Sequence, residues 1–239
     1  MSHPTDDRSA FFGSTSSAGI KRVYEDIPLE AAGRPYVLGP YNSENLWRDP
    51  RRIGFMLARY KWVAKMLDGK ASVLEVGCQE GLGTTLVARA VARITAVDFY
   101  RPHVEHCQAH VAPGCPNITF QGHDMLDGPV AGGFDAGYTL DVLEHIEPAQ
   151  EHLFMTHLAA SLGPKGVAIV GMPSLEFQPH ASPASRAGHI NCKTGQGLRE
   201  LCGRHFDHVF MFAMNDEVVH TGFLPMACYL LALCVGPRR

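Results

Sequence analysis

The segment spanning residues 73–90, VLEVGCQEGLGTTLVARA, constrains the fold more than any other stretch of the chain. A β-branched apolar run gives way at once to glycines and then to helix-forming residues. That order of strand, turn and helix opens a βαβ unit, whose strands lie parallel. Gly77 lets the chain leave a sheet sharply, and Gly81 and Gly83 admit a ligand or a neighbouring strand where a Cβ would collide. The helix beyond presents the positive end of its dipole. Downstream, apolar runs at 94–97, 117–120 and 134–138 precede a helical pattern near 148–162. The run 167–171 lacks polar alternation, as a strand covered on both faces should. After a short helix in TGQGLRELC, strands at 205–214 and 226–235 lie close in sequence. The pattern predicts an α/β, Rossmann-like doubly wound sheet, mainly parallel.

Upstream, residues 1–45 carry Gly, Ser and Pro without apolar periodicity and read as a partly flexible arm that can fold over a site as a lid; residues 46–239 form the domain. Asp49 and Pro50 are a helix start signal, and Ile53, Leu57, Tyr60, Ala64 and Leu67 form one apolar stripe after it. With 21 Lys and Arg against 24 Asp and Glu, the chain has no broad positive field, which disfavours nucleic acid as a partner. Its 7 cysteines include no CxxC pair, which argues for reduced thiols rather than a zinc knuckle or a disulfide framework. The most apolar segment, 223–235, contains Pro225 and falls short of the roughly 20 residues a membrane helix needs. The polar start, MSHPTDDRSA, does not resemble a signal peptide, so a cytoplasmic location without membrane association is expected.

Two acids discriminate between cofactors. Glu75 lies inside the strand, immediately before the turn, where a carboxylate suits the zwitterionic amino-acid part of S-adenosylmethionine better than a pyrophosphate. Asp98 ends the next strand, AVDF, where it can accept hydrogen bonds from both hydroxyls of a ribose. An NAD-dependent oxidoreductase would share the turn and Asp98 but should show a fuller G-x-G-x-x-G, which Gln79 interrupts. Together LEVGCQEG, AVDF, GHDM and LDVLEHI resemble the ordered motifs of class I S-adenosylmethionine-dependent methyltransferases, over roughly residues 72–212. The resemblance implies a seven-stranded sheet ending in an antiparallel hairpin. It also implies Glu75 and Gly77 at the methionine end, with Cys78, Gln79 and Gly81 completing the cofactor-binding turn. Asp98 would hold the ribose, Asp124 with Met125 the adenine, and Leu140 would close the pocket beside the sulfonium. Gln79 departs from the family, which commonly has a second glycine there.

Ligands of open α/β sheets bind beyond the carboxyl ends of the strands, which places a methyl acceptor near TLDVLEHIEP. On a helical turn, Asp141, Glu144 and His145, at relative positions 0, 3 and 4, would share one face and could hold a divalent cation. The plainer alternative is that the acid and the histidine cap and orient the turn. Further on, His189 in AGHINCKTGQGLREL precedes the next helix. This layout is similar to the metal-dependent 2′-O-methyltransferases of small RNAs, and its Asp/Glu-x-x-Glu-His part resembles the O-methyltransferases of ubiquinone synthesis. The resemblance implies magnesium or manganese on Asp141, Glu144, His145 and His189, with Asp141 in place of a usual Glu. By either the metal or the direct route, His145, His189 and Asp141 are the catalytic candidates for removing an acceptor proton. The expected activity is O-methylation of a small-molecule hydroxyl, in a sugar, nucleoside or secondary metabolite. An N- or C-methyltransferase, a 2′-O-methyltransferase of RNA ends, and a non-catalytic cofactor-binding protein remain the alternatives. For Tyr36, Tyr41, Arg59, Tyr60, Glu217 and His220, packing or solvation is the more ordinary role beside acceptor contact.

Overall fold

The structure is a computed structural model and describes residues 35–238, so most of the arm expected over 1–45, with its role as a lid, lies outside the described residues. Helix α1 (Pro40–Arg48) precedes α2 (Arg51–Met66), which starts where Asp49 and Pro50 signalled and buries Tyr60, Val63 and Ala64. Strand β1 (Val73–Val76) leads through the glycine turn to α3 (Thr84–Val87), then β2 (Ile94–Asp98) and α4 (Arg101–His106), which runs on as a π turn over Cys107–Val111. Next come β3 (Ile118–Gly122), β4 (Phe134–Leu140), a 3-10 turn at Leu143–His145, α5 (Glu151–Ser161) and β5 (Leu162–Pro173). The chain closes with α6 (Pro183–Gly188), α7 (Gly195–His205), β6 (Phe206–Asn215), β7 (Val218–His220) and β8 (Tyr229–Pro237).

The strands form one sheet in the order β3-β2-β1-β4-β5-β8-β6-β7. Pairings among β3, β2, β1, β4 and β5 are parallel, and those of β8 with β5, β8 with β6 and β7 with β6 are antiparallel. This is the doubly wound sheet with an antiparallel end that the sequence predicts. It has eight strands rather than seven, because the chain turns back after β6 as a hairpin and adds β7 at the edge. The chain leaves β1 toward β2 on one side and β4 returns on the other, so the topological switch point lies between β1 and β4, where such sheets bind ligands.

Both faces of the sheet are covered, and alternate residues of a strand serve opposite cores. Leu74 and Val76 point to the side of Phe154, Leu158, Leu198 and Phe206. Val73 points to the side of Tyr60, Val63, Val87 and Ile118. On β8, Leu230 and Ala232 alternate with Leu231 and Leu233 in the same way. Strand parity places Glu75 on the face of Val73, beneath α2 and α3.

The approach of α2 to the glycine turn sets a steric condition. A Cβ on Gly83 would collide with the Tyr60 ring, whereas one on Gly114 would meet no atom within 4 Å. Gly83→Ala should therefore lower stability by about 1–3 kcal/mol, and Gly114→Ala should change it by no more than about 0.5 kcal/mol. Urea unfolding midpoints of both variants would test the pair.

Candidate functional site

The turn after β1 is built from alternating left-handed residues: Gly77 at φ 83°, Gln79 at 48° and Gly81 at 73°. At Gly77 a side chain is excluded twice, by this φ and by Val142, which a Cβ would overlap. Gln79, where the family prefers glycine, adopts the left-handed conformation all the same. Its N–H donates to Asp98 Oδ2 at 2.9 Å, while Asp98 Oδ1 accepts from Tyr100 N at 2.9 Å. A cavity of about 550 Å³ opens here, walled by Gly77, Gln79, Asp98, Tyr100, Asp124, Met125, Val142 and Phe154 among others. Asp124 Oδ1 accepts from Leu126 N at 2.8 Å, and the His157 ring contacts the Met125 carbonyl at 2.6 Å, which fixes the strand exit.

Of the residues expected at the cofactor, Leu140 lines only the neighbouring cavity, and three more stand off both walls. Cys78 and Gly81 lie behind the turn and line neither this cavity nor its neighbour. Glu75 is 1% exposed and likewise lines neither. The parity of β1 turns it inward, under the turn, and neither of its oxygens has a partner in hydrogen-bond geometry. Burial raises its pKa to about 7, against the lowering influence of the nearby hydroxyls of Thr84, Tyr138 and Tyr60. Glu75 thus supports the turn from below.

A second cavity, of about 290 Å³, shares Gly77, Gln79, Asp141 and His145 with the first and extends past Leu140, Glu144 and His189. The 3-10 turn Leu143–His145, stabilised by His145 N donating to Val142 O at 2.9 Å, brings Glu144 inward. Glu144 is 0% exposed and both of its oxygens lack partners. Burial first, and the charge of Asp141 second, hold its pKa well above the usual carboxylate range, against the pull of Arg59. The His145 and His189 rings meet edge to face with centroids 5.2 Å apart. Each turns Nδ1 to a carbonyl oxygen, His145 to Gly188 at 2.8 Å and His189 to Gln178 Oε1 at 3.1 Å. An oxygen that can only accept fixes the proton on Nδ1, which leaves Nε2 as a bare lone pair. Burial and the neighbouring His145 hold His189 below the ordinary histidine pKa, which favours its neutral form.

Glu144, His145 and His189 each offer an atom within 4.8 Å of the others. Asp141, expected as a fourth member, is drawn to Arg59 instead. Arg59 Nη1 lies 2.8 and 2.6 Å from its two oxygens, and Asp141 sits at φ 56°, so the segment is not the continuous helical turn that would align 0, 3 and 4. The Arg59 guanidinium stacks 3.8 Å above the Tyr229 ring. Tyr41, Arg59 and Tyr60 stand on the wall of the smaller cavity; Glu217 and His220 line neither cavity, and Tyr36 belongs to a separate N-terminal unit.

Sequence reasoning missed Glu80. Oε1 accepts from Tyr41 N at 2.7 Å, and Oε2 accepts from Asn42 N and Asn42 Nδ2, both at 2.8 Å. Its position in the glycine turn was visible, but nothing in the sequence signals a partner nearly forty positions upstream.

The switch-point cavity, with an acid at the end of β2 and a glycine turn at the end of β1, is the arrangement in which Rossmann-like domains hold nucleoside-containing small molecules. Residues 73–166 match the family described as a methyltransferase domain. Over these residues the chain carries a methyltransferase domain, on a fold shared with class I S-adenosylmethionine-dependent methyltransferases. It is 28% identical over 122 residues to a ubiquinone biosynthesis O-methyltransferase from Rickettsia bellii (strain OSU 85-389), a match covering 51% of this chain and 50% of that one. A probable S-adenosylmethionine-dependent methyltransferase from Mycolicibacterium smegmatis is 24% identical over 162 residues, covering 66% and 58%. The chain spans about half the length of the curated relatives it matches first. Among solved structures, the N-methyltransferase NodS from Bradyrhizobium japonicum WM9, in complex with S-adenosyl-L-homocysteine, superposes with a TM-score of 0.58 at 19% identity, covering 81% of this chain and 91% of that one. The methyltransferase domain of bacterial CtHen1-C gives 0.60 at 16%, covering 77% and 98%. These two likenesses concern the fold.

Two outcomes follow from this geometry. Folded Glu75 keeps its proton to about pH 7, whereas the unfolded side chain loses it near 4.5. The folded state therefore binds more protons in that window, and stability falls as pH rises through it, by about 3 kcal/mol. Glu75→Gln should remove this part of the slope and gain stability relative to the parent from pH 4.5 to above 7, as read by urea unfolding across pH. Asp98→Ala should weaken S-adenosylhomocysteine binding by about 1.5–3 kcal/mol for each charged hydrogen bond lost; unchanged affinity in calorimetry would remove Asp98 from the cofactor site.

Proposed function

We propose that this protein transfers the methyl group of S-adenosylmethionine to a hydroxyl oxygen of a small molecule, with a divalent cation held by Glu144, His145 and His189. The observation that carries the metal part is the buried Glu144 carboxylate with two unpartnered oxygens, beside two imidazoles whose Nδ1 partners leave Nε2 free. A buried acid without partners costs several kcal/mol unless protonated or paired, and metal-binding histidines are commonly oriented by a carbonyl at the other nitrogen. The donor set of two nitrogens and one carboxylate suits manganese better than magnesium, which prefers oxygen ligands. The names of the ubiquinone-pathway relatives favour oxygen over nitrogen or carbon.

S-adenosylmethionine, held in the larger cavity by Gly77, Gln79, Asp98, Asp124 and Met125, supplies a methyl group on a positively charged sulfur. The cation, when bound, lowers the pKa of an acceptor hydroxyl. The chain's own residues confine the two reactants. The walls shared by the cavities, Gly77, Gln79, Asp141 and His145, bring them face to face, and such confinement converts an encounter into an oriented step. Leu140, Met56 and Phe55 supply apolar surface on the acceptor side. Arg59 neutralises Asp141 and holds the loop that carries Glu144 and His145. With Nε2 of both rings on the cation, the acceptor proton passes to solvent; without the cation, the free Nε2 of His145 or His189 can take it.

The balance of acidic and basic residues supports a small acceptor rather than nucleic acid, and among the described residues no helix is long and apolar enough to cross a membrane. We extend the proposal to a cytoplasmic protein whose 1–45 arm serves as a lid.

Calorimetric titration of chelator-treated protein with Mn²⁺ should show one site, lost in Glu144→Ala, while S-adenosylhomocysteine binding persists. For His189→Ala, cofactor affinity should hold while turnover of a vicinal diol or catechol acceptor falls by roughly a hundredfold. Absence of cation binding, or full turnover after exhaustive chelation, would overturn the metal part and leave the proton to His145 or His189.

A further inference from the structure

We infer that Glu80 is a positioning residue that ties the acceptor wall to the cofactor turn, so that cofactor occupancy sets helix α1 in place for the acceptor. This rests on reading the larger cavity as the cofactor site and the smaller as the acceptor site.

Helix α1 has little else to hold it. Of its nine residues only Asn42 is buried, and Leu46 and Trp47 face solvent, Trp47 at 86% exposure. A nine-residue helix is marginal without tertiary support. Its N-cap, Gly39, offers no side-chain hydrogen bond. Glu80 supplies the missing cap from a distant part of the chain: its oxygens accept from the N–H groups of Tyr41 and Asn42, the second and third positions of the helix, and from the Asn42 side chain. The charge also lies at the positive end of the helix dipole. Three N–H donors converge on the two oxygens of one side chain. The fit is close enough that a Cβ on Gly39 would overlap the Glu80 carboxyl group.

The other end of the tie is the cofactor turn. Glu80 lies between left-handed Gln79 and Gly81. Gln79 N–H is held by Asp98, and Gln79 and Asp98 both wall the larger cavity. A ligand engaging Asp98 and the Gln79 backbone fixes the turn and with it the direction of the Glu80 carboxylate. Tyr41, Asn42 and Asn45 of α1 stand on the wall of the smaller cavity. A ligand that favours one arrangement of the turn shifts α1 with it, because binding weights the conformations it contacts. The consequence is ordered assembly, in which the acceptor wall is completed after the cofactor has bound.

Hydrogen exchange on the full chain, with and without S-adenosylhomocysteine, tests the inference. In the parent, the ligand should slow exchange over residues 73–98 and also over 40–48, the latter by at least roughly tenfold, the factor that one charged hydrogen bond confers. In Glu80→Gln, slowing over 73–98 should persist while that over 40–48 is lost. If Glu80→Gln does not fold, Asn42→Ala gives the second reading: a partial loss over 40–48 supports the tie, and parent-like slowing overturns it. Equal protection of 40–48 with and without ligand in the parent would make Glu80 a static anchor and overturn the inference, as would an unchanged response in Glu80→Gln. No slowing at 73–98 in the parent would overturn both the inference and the cofactor reading, and is distinct from loss confined to 40–48.

Discussion

The hydrogen bond from Gln79 N–H to the Asp98 carboxylate joins the exits of β1 and β2 at the point where the sheet changes direction. The backbone there must turn away from β1 without blocking the crevice, and it does so through three positive-φ residues, of which only Gln79 is not glycine. A non-glycine residue persists in that region when its surroundings determine it. Asp98 is part of that determination, so one carboxylate both shapes the turn and walls the cavity. The geometry of the turn and the lining of the cavity are therefore parts of one arrangement.

Three buried glutamates surround this turn, and each meets the cost of burial differently. Glu80 gathers three N–H donors and caps a helix. Glu75 has hydroxyls nearby but none in hydrogen-bond geometry, and its pKa rises to about 7. Glu144 has no hydrogen-bond partner for its carboxylate among the described residues and faces a cavity. The first is a structural charge, the second a near-neutral prop, and the third the group whose environment asks for a ligand. Burial fraction alone would not separate them; the donors around each oxygen do.

Strand order, the parallel core and the antiparallel end were legible because glycine turns and apolar runs obey local rules, as at Gly77 and along β8. Strand β7 was not, since its three residues carry no pattern that distinguishes them from a polar loop. Helix α4 with its π turn was missed although Val104, Cys107 and Val111 are buried at spacings of three and four, because histidines and glutamine fill the rest of the segment. Of the site, Gly77, Asp98, Asp124 and Met125 stand together on the wall of the larger cavity, and each was singled out from motif order alone. The placement of Glu75 depends on strand parity relative to two cores, which the motif does not encode. The pairing of Asp141 with Arg59, 82 positions apart, is a tertiary choice between partners and leaves no local trace.

That choice shapes the chemistry of the acceptor side. Had Asp141 joined Glu144 beside the histidines, two carboxylates would share a buried pocket, and their repulsion would raise the proton affinity of both. Arg59, sitting against both oxygens of Asp141 with its guanidinium on the Tyr229 face, offsets part of that repulsion, and Glu144 still feels the remainder. It thereby joins α2, the exit of β4 and the start of β8 around one charge pair. The cluster left behind is nitrogen-rich and holds one acid, and it requires a neutral Nε2 on each ring. A cation, if bound, would be held by Glu144, His145 and His189 and would lower the pKa of a hydroxyl brought beside it. The ion pair outside the cluster thus leaves one carboxylate and two imidazoles facing the cavity.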